Sequence, residues 1–365
     1  MYIKSLAVKN TLENWVLEKV SFDYNLTLLV GITGAGKTQI LTAIDHLQRV
    51  VRGGSVGGFE WDVVVELENK KQYQWSGNFY YDESGKGKIG EINFPLIERE
   101  IIKEVGADSF IINRNRTEIL FKGTKLPKVS RKSSAITLFI EEIPLKNIGQ
   151  LLSKIIYRNN TERSKPLIID KNRDATNIVV ESLEQIKNLG VDSLVKYYLA
   201  QQQRLPITRE ILATYSAIFN EVKFIYVNKT LENDYVKLYV SIDHKGSRRP
   251  INQEAMSSGM LRVFMLLIDL HFSPDGSIFL IDEIENSLGI NCLDEYVHQL
   301  QHANPNIQII ATSHHPYIIN NIPYQQWKIV QRKEAVIKVH NAEDFHIGSS
   351  RQAAFVQLTK ILHKK

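Results

Sequence analysis

An α/β fold, a mixed sheet with an antiparallel β subdomain and an inserted helical lobe, is what this 365-residue sequence predicts. Three observations predict it. A short apolar run, LTLLV (Leu26–Val30), passes through a glycine-rich turn into a stretch of helical periodicity, TQILTAIDHLQRVV. From Phe59 to about Phe121 the segments are extended and separated by turn chemistry, as in WDVVVELEN, KQYQWSGNFYY, DSFIINRN and EILFKG. After a helical middle, the apolar runs in SIFLIDEIE and NIQIIATSHHP restore the α/β pattern.

Taken in order, YIKSLAVKN and WVLEKVSFDY alternate as two paired strands ahead of Leu26–Val30. Ile40, Leu41, Ala43, Ile44, Leu47 and Val51 share one face of the following helix, which GGSVGG (Gly53–Gly58) ends. Between about Ser133 and Asn220, AITLFIEEI, NIGQLLSKIIYR, TNIVVESLEQIKNL and DSLVKYYLAQQQRL carry three-to-four-residue apolar spacing and predict helices. KFIYVN and DYVKLYVSID then predict a hairpin. The domain expectation is a first lobe over 1–132, a mainly helical insertion over 133–250, the returning core over 251–345, and a C-terminal helix or tail over 346–365.

Composition narrows the classes. No apolar run approaches the ~20 residues of a membrane span, and the start, MYIKSLAVKN, has no continuous apolar region of a secretory signal. A cytoplasmic protein without a membrane partner is expected. The single cysteine, Cys292, excludes an intrachain disulfide and any cysteine-cluster metal site. The net charge of +5 is unevenly spread. Arg114, Arg116, Lys122, Lys125, Lys128, Arg131 and Lys132 stand against one acid, Glu118, and a smaller cluster holds Lys245, Arg248 and Arg249. Both are candidate polyanion contacts, the Arg114–Lys132 stretch the principal one for nucleic acid.

The chemistry lies in four motifs. Gly31-Ile32-Thr33-Gly34-Ala35-Gly36-Lys37-Thr38 fits G-x-x-x-x-G-K-[ST], in which backbone N–H groups cradle phosphates, the lysine reaches the β- and γ-phosphates and the hydroxyl binds Mg²⁺. Strand, loop and helix N-terminus supply the context this motif needs. Gly31, Thr33, Gly34, Ala35, Gly36, Lys37, Thr38 and Gln39 are the candidate nucleotide contacts. In SIFLIDEIENSL, an apolar strand ends at Asp282-Glu283, an acid for the metal followed by a general base for the attacking water. MSSGMLRVFMLL places Ser257, Ser258 and Gly259 at a second helix start, suited to another nucleotide or, more plainly, to an N-cap. In IIATSHHP, His314 ends a strand at the level of a γ-phosphate sensor.

As a set and in this order, GITGAGKT, MSSGM, FLIDEIENSL and TSHHP resemble the ABC-type ATPases. They are most similar to the branch holding the overcoming-lysogenization-defect (OLD) ATPases, the RecF/SMC group and several anti-phage defence ATPases of Septu and PARIS type. The resemblance covers roughly residues 1–55 and 250–325. It implies an ABC-type ATPase head forming a head-to-tail homodimer, or a higher homo-oligomer, with two ATP molecules and Mg²⁺ buried between subunits. Lys37 and Thr38 would hold phosphates and metal, Asp282 would support the metal, and Glu283 would be the catalytic base. Ser257 and Gly259 would touch the γ-phosphate of the partner's ATP, Asn286 and Ser287 would line the interface, and His314 would sense the γ-phosphate. Ser258 and Met260 depart from the usual signature, and Gln150, Gln201, Gln202 and Gln203 give no clear candidate for the glutamine that links core to helical lobe.

Three function classes compete. An ATPase regulating a separate effector, a nuclease or toxin, in anti-phage defence is favoured on the family resemblance; the residues after His314 are too few for the Toprim nuclease domain of true OLD nucleases, so the effector is expected to be a separate chain. A RecF- or SMC-like repair ATPase is the alternative. A transporter ATPase is disfavoured, because IENSL replaces the transporters' acidic-motif continuation.

Overall fold

A computed structural model describes residues 1–81, 94–158, 165–345, 356–358 and 360; the expected 346–365 tail lies largely outside them. The chain divides into two compact units, one of residues 1–158, 276–284 and 305–365, the other of 159–275 and 285–304.

The first unit is built on a mixed sheet of fourteen strands among the described residues. Leu26–Val30 is buried at every position, as a strand covered on both faces must be. It lies between two parallel neighbours from far along the chain, Gln308–Ser313 on one side and Trp327–Lys333 on the other. Gln308–Ser313 in turn pairs in parallel with Ile278–Ile281, and that strand with Ile155–Arg158 at the sheet edge. In the other direction, Trp327–Lys333 turns back on Val336–Asn341, which meets Trp15–Ser21 in parallel. From there to the far edge every pairing is antiparallel: Trp15–Ser21, Tyr2–Asn10, Phe59–Glu66, Gln72–Tyr80, Leu96–Glu104, Phe110–Arg114, Ile119–Phe121 and Thr124–Lys125. Strict alternation along Gln72–Tyr80 buries one face, where Trp75 meets Trp61 with ring centroids 5.1 Å apart. Helix Lys37–Val51 lays Ile40, Leu41, Ala43, Ile44, Leu47, Val50 and Val51 on this core.

Three expectations over the middle change, the first being AITLFIEEI, which is helical only over Ala135–Leu138. The apolar spacing of NIGQLLSKIIYR is helical only over Leu145–Ser153; Lys154 caps that helix, and Ile155–Arg158 is a strand. Two β-branched residues and a tyrosine beside the buried edge of Ile278–Ile281 gain more as a fifth parallel strand than as a last helical turn. In TNIVVESLEQIKNL the helix is only Leu183–Asn188, begun by Ser182, whose hydroxyl accepts from Gln185 N at 3.2 Å.

The second unit pairs Leu167–Asp170, Tyr235–His244 and Val222–Leu231 in an antiparallel sheet, with Ile251–Asn252 added on Tyr235–His244. The predicted hairpin is present. Helix Ser193–Gln202 closes one sheet edge: the Gln201 amide donates to Val227 O and accepts from Val227 N, both at 3.0 Å. One side chain thus satisfies both outward backbone groups of Val227 on that edge. Tyr197 packs edge-on to Phe264 of helix Ser258–Phe272, centroids 5.0 Å apart.

Candidate functional site

The phosphate-loop, Asp282-Glu283 and His314 positions predicted from the sequence stand in the first unit at the C-terminal ends of its parallel strands, where the next element begins. Gly36 starts helix Lys37–Val51 at φ 102°, a conformation open to glycine and strained for other residues. A methyl group there would also lie 2.5 Å from Ile337 Cδ1. The loop is thereby pressed between its own turn and the hairpin that follows the strand Trp327–Lys333. Lys37 Nζ donates to Gly31 O at 2.8 Å and Ile32 O at 3.1 Å, across the loop it is meant to serve. The Gln39 amide oxygen accepts from Arg332 Nη1 at 3.0 Å.

Opposite the loop, the Thr38 hydroxyl is 2.9 Å from Asp282 Oδ2 and 3.2 Å from Oδ1. Ile278–Ile281 delivers Asp282 because four buried apolar residues fix the strand up to that point. Thr312 of the neighbouring strand donates its hydroxyl to Asp282 Oδ1 at 2.8 Å and accepts Glu283 N at 2.7 Å. Thr312 O accepts from Ile284 N at 3.0 Å. Glu283 is held at φ 49° with its side chain exposed, a strained backbone of the kind concentrated at working sites. Tyr157, on the edge strand, is pushed to a raised pKa by burial and then by the Asp282 charge.

His314 and His315 divide their work. His315 Nδ1 accepts Tyr317 N at 3.2 Å and caps the short helix Pro316–Asn321, while His314 is exposed at the strand end.

Ser257, Ser258, Gly259, Asn286 and Ser287 belong to the second unit. Ser257 caps helix Ser258–Phe272 through its hydroxyl, which accepts Met260 N at 3.2 Å. Ser257 and Ser258 are exposed at that N-terminus, and Gly259 is buried. A Cβ on Gly259 would meet Ser287 O at 2.8 Å, so glycine is what lets the 286–287 turn approach the helix. The Arg262 guanidinium holds that turn through Asn286 O. Ser287 adopts φ 62°.

Oxygen donors at Thr38 and Asp282 suit Mg²⁺, which takes one or two protein oxygens and leaves the rest to substrate phosphate and water. Among the described residues no group of three or more His, Cys, Asp or Glu could hold a metal ion by itself. Among the same residues no helix is long and apolar enough to cross a membrane.

The basic stretch is corrected at its first member. Arg114 is only 2% exposed and its guanidinium serves the interior, donating to Ser133 O at 2.9 Å, Ser130 O at 2.6 Å and the fully buried Glu100 at 3.4 Å. Burial pushes its pKa down and Glu100 pulls it back up. Arg116 pairs with Glu98 and lies 4.2 Å from the Tyr80 ring, and Lys125 pairs with Glu118 at 2.9 Å. Arg114 is therefore no polyanion contact. Thr312, Tyr157 and Arg332 escaped the sequence analysis, although Thr312 lies inside the motif IIATSHHP.

Comparison with known proteins gives one family. The model described as "AAA domain, putative AbiEii toxin, Type IV TA system" matches residues 26–320. Among solved structures the chain is similar to an SmcHead bound to the C-winged helix domain of ScpA, at 15% identity and TM-score 0.48 over 93% of this chain and 98% of that one. It is also similar to the SMC head domain from Thermotoga maritima, at 15% identity and TM-score 0.42 over 93% and 99%. A third is the Smc head domain with an extended coiled coil bound to the C-terminal domain of ScpA derived from Pyrococcus furiosus, at 16% identity and TM-score 0.48 over 99% of both chains. No curated protein matches the sequence.

Proposed function

Because this chain belongs to the family described as an AAA domain, putative AbiEii toxin, Type IV TA system, we propose that it binds ATP with Mg²⁺ and hydrolyses it to control an assembly. The observation that carries the reading is the convergence of Thr38, Asp282 and Glu283 through Thr312. The loop N–H groups and Lys37 would hold the phosphates, and Thr38 with Asp282 would hold Mg²⁺. When bound, the metal neutralises charge that develops on the transferred phosphoryl group. Glu283 would take the proton of the attacking water, a contribution worth roughly 10²- to 10⁴-fold. His314 would donate to the γ-phosphate.

Ser257, Ser258 and Gly259 present a capped helix start, with Asn286 and Ser287 packed beside it. In the proposed homodimer this surface completes the ATP site of the partner, so ATP would favour the closed pair and hydrolysis would release it. The wording of the family description supports a place in a toxin–antitoxin type of system; in the reading proposed here such a dimer would regulate a separate effector in anti-phage defence. A repair ATPase of RecF or SMC kind is the second reading.

Glu283→Gln is expected to keep ATP binding, lose hydrolysis by at least about a hundredfold, and elute as a dimer with ATP. Parental turnover in that variant would remove Glu283 from its role. A Ser257→Arg protein that still dimerises with ATP would end the trans-site proposal.

A further inference from the structure

We propose that the outer face of the second unit's sheet is a stacking platform for single-stranded nucleic acid. Along Val222–Leu231 the buried residues Ile225 and Val227 alternate with Phe224 and Tyr226, which point to the other face. Phe224 is 50% exposed, and its ring centroid lies 6.0 Å from that of Tyr226. Tyr239, half-buried on the neighbouring strand, faces the same way: it pairs with Asn228, two residues on from Tyr226. Three rings therefore cross two strands on one surface. Open aromatic faces stack any base, which makes such surfaces tolerant of sequence.

Cations stand at the same end of the sheet. Lys223 is exposed at a register shift beside Phe224. The turn that follows Tyr235–His244 exposes Lys245, Arg248 and Arg249. That turn is ordered by its own backbone, with Lys245 N on Glu221 O at 2.7 Å and the Ser247 hydroxyl on Arg249 O at 2.7 Å. None of these four cations is in an ion pair among the described residues. The acids nearby are Glu221 and Asp243, and Asp243 accepts the Tyr226 hydroxyl at 3.4 Å, which steadies that ring. Rings for bases and adjacent cations for phosphates are complementary to a flexible single strand. A duplex hides the faces these rings need. In the Arg114–Lys132 stretch, by contrast, Arg114 is inside, Arg116 and Lys125 are tied to acids, and the Tyr80 ring is already engaged by the Arg116 guanidinium.

The test uses the full chain and fluorescein-labelled 20-mers: oligo(dT), oligo(U) and a mixed-sequence duplex, titrated by anisotropy at several salt concentrations. Binding of either single strand in preference to the duplex is expected, the two labelled strands telling DNA from RNA. Phe224→Ala with Tyr226→Ala should weaken it about tenfold or more. Lys245→Ala, Arg248→Ala and Arg249→Ala together should make the log–log salt slope about 2 less steep, at roughly 0.7 per phosphate contact. An unchanged far-UV circular dichroism spectrum and an unchanged urea transition show that each variant is folded. No binding of any single strand, equal binding of the duplex, or unchanged affinity in the aromatic double variant would overturn the proposal.

Discussion

The Thr312 hydroxyl stands 2.8 Å from Asp282 Oδ1 while accepting Glu283 N at 2.7 Å, so one side chain of one strand sets two consecutive acids at the end of its neighbour. Removing it is expected to misplace both. Thr312→Val should lower the ATPase kcat roughly tenfold to a hundredfold, the range of sub-ångström to ångström misplacement, with smaller change in KM. Thr312→Ser should restore most of the rate. Steady-state phosphate release measures both, and a Val variant with parental kcat would refute the positioning role.

At Gly36 two obstacles meet any side chain: φ 102° and Ile337 Cδ1 at 2.5 Å. Gly36→Ala is expected to cost about 1–3 kcal/mol and to abolish binding of a fluorescent ATP analogue. Adding Ile337→Ala frees space but leaves the backbone strain, so nucleotide binding should stay lost. Recovery in the double variant would assign the effect to crowding alone.

Glu100 is fully buried and takes four donors: Trp75 Nε1 at 3.0 Å, Ala135 N at 2.8 Å, Arg114 Nη1 at 3.4 Å and the Ser134 hydroxyl. Glu100→Ala strands a buried guanidinium and should destabilise the protein by about 3–5 kcal/mol in urea unfolding. Arg114→Ala should also destabilise it, and should do so with no selective loss of oligonucleotide binding. A cost below about 1 kcal/mol for both would contradict the network.

Lys196 is buried, donates to Lys187 O at 2.7 Å and Phe272 O at 3.1 Å, and has its pKa lowered to about 8, first by burial. Its folded pKa lies below the unfolded one, near 10.5, so the unfolded chain binds the extra proton between pH 8 and 10.5. Stability from this group therefore rises with pH across that window and is flat below it. Relative to Lys196→Met, the wild-type protein should gain up to about 1 kcal/mol per pH unit there. A difference that falls with pH would reverse the assignment.

The parallel core was legible because its strands are unbroken apolar runs bounded by glycine or acid, as at Leu26–Val30 and Ile278–Ile281. Ile155–Arg158 was not, because four residues with a helix immediately before them carry no period of their own; only the neighbouring strand decides them. Asp282 and Glu283 stand out in the sequence by position, whereas Thr312 matters through a contact made 30 residues away. Arg114 misled for the opposite reason. Its local sequence is basic and polar, and the acid that draws it inward, Glu100, lies on another strand. Gln201 carried no signal at all, since its role is to complete a strand edge.

The strand Leu26–Val30 has consequences for synthesis. Both of its partners, Gln308–Ser313 and Trp327–Lys333, are made long after it. At ~5–20 residues per second, that apolar strand leaves the ribosome with neither edge filled and waits from about 15 seconds to a minute for its neighbours. Its pairings span most of the chain, the kind of contact that slows folding and exposes edges to aggregation. A nascent chain ending at Pro305 is therefore expected to bind no nucleotide analogue although it already contains the whole loop. Each new molecule thus passes through an interval with an apolar strand edge unfilled, and nucleotide binding is expected only after Gln308–Ser313 and Trp327–Lys333 have been made.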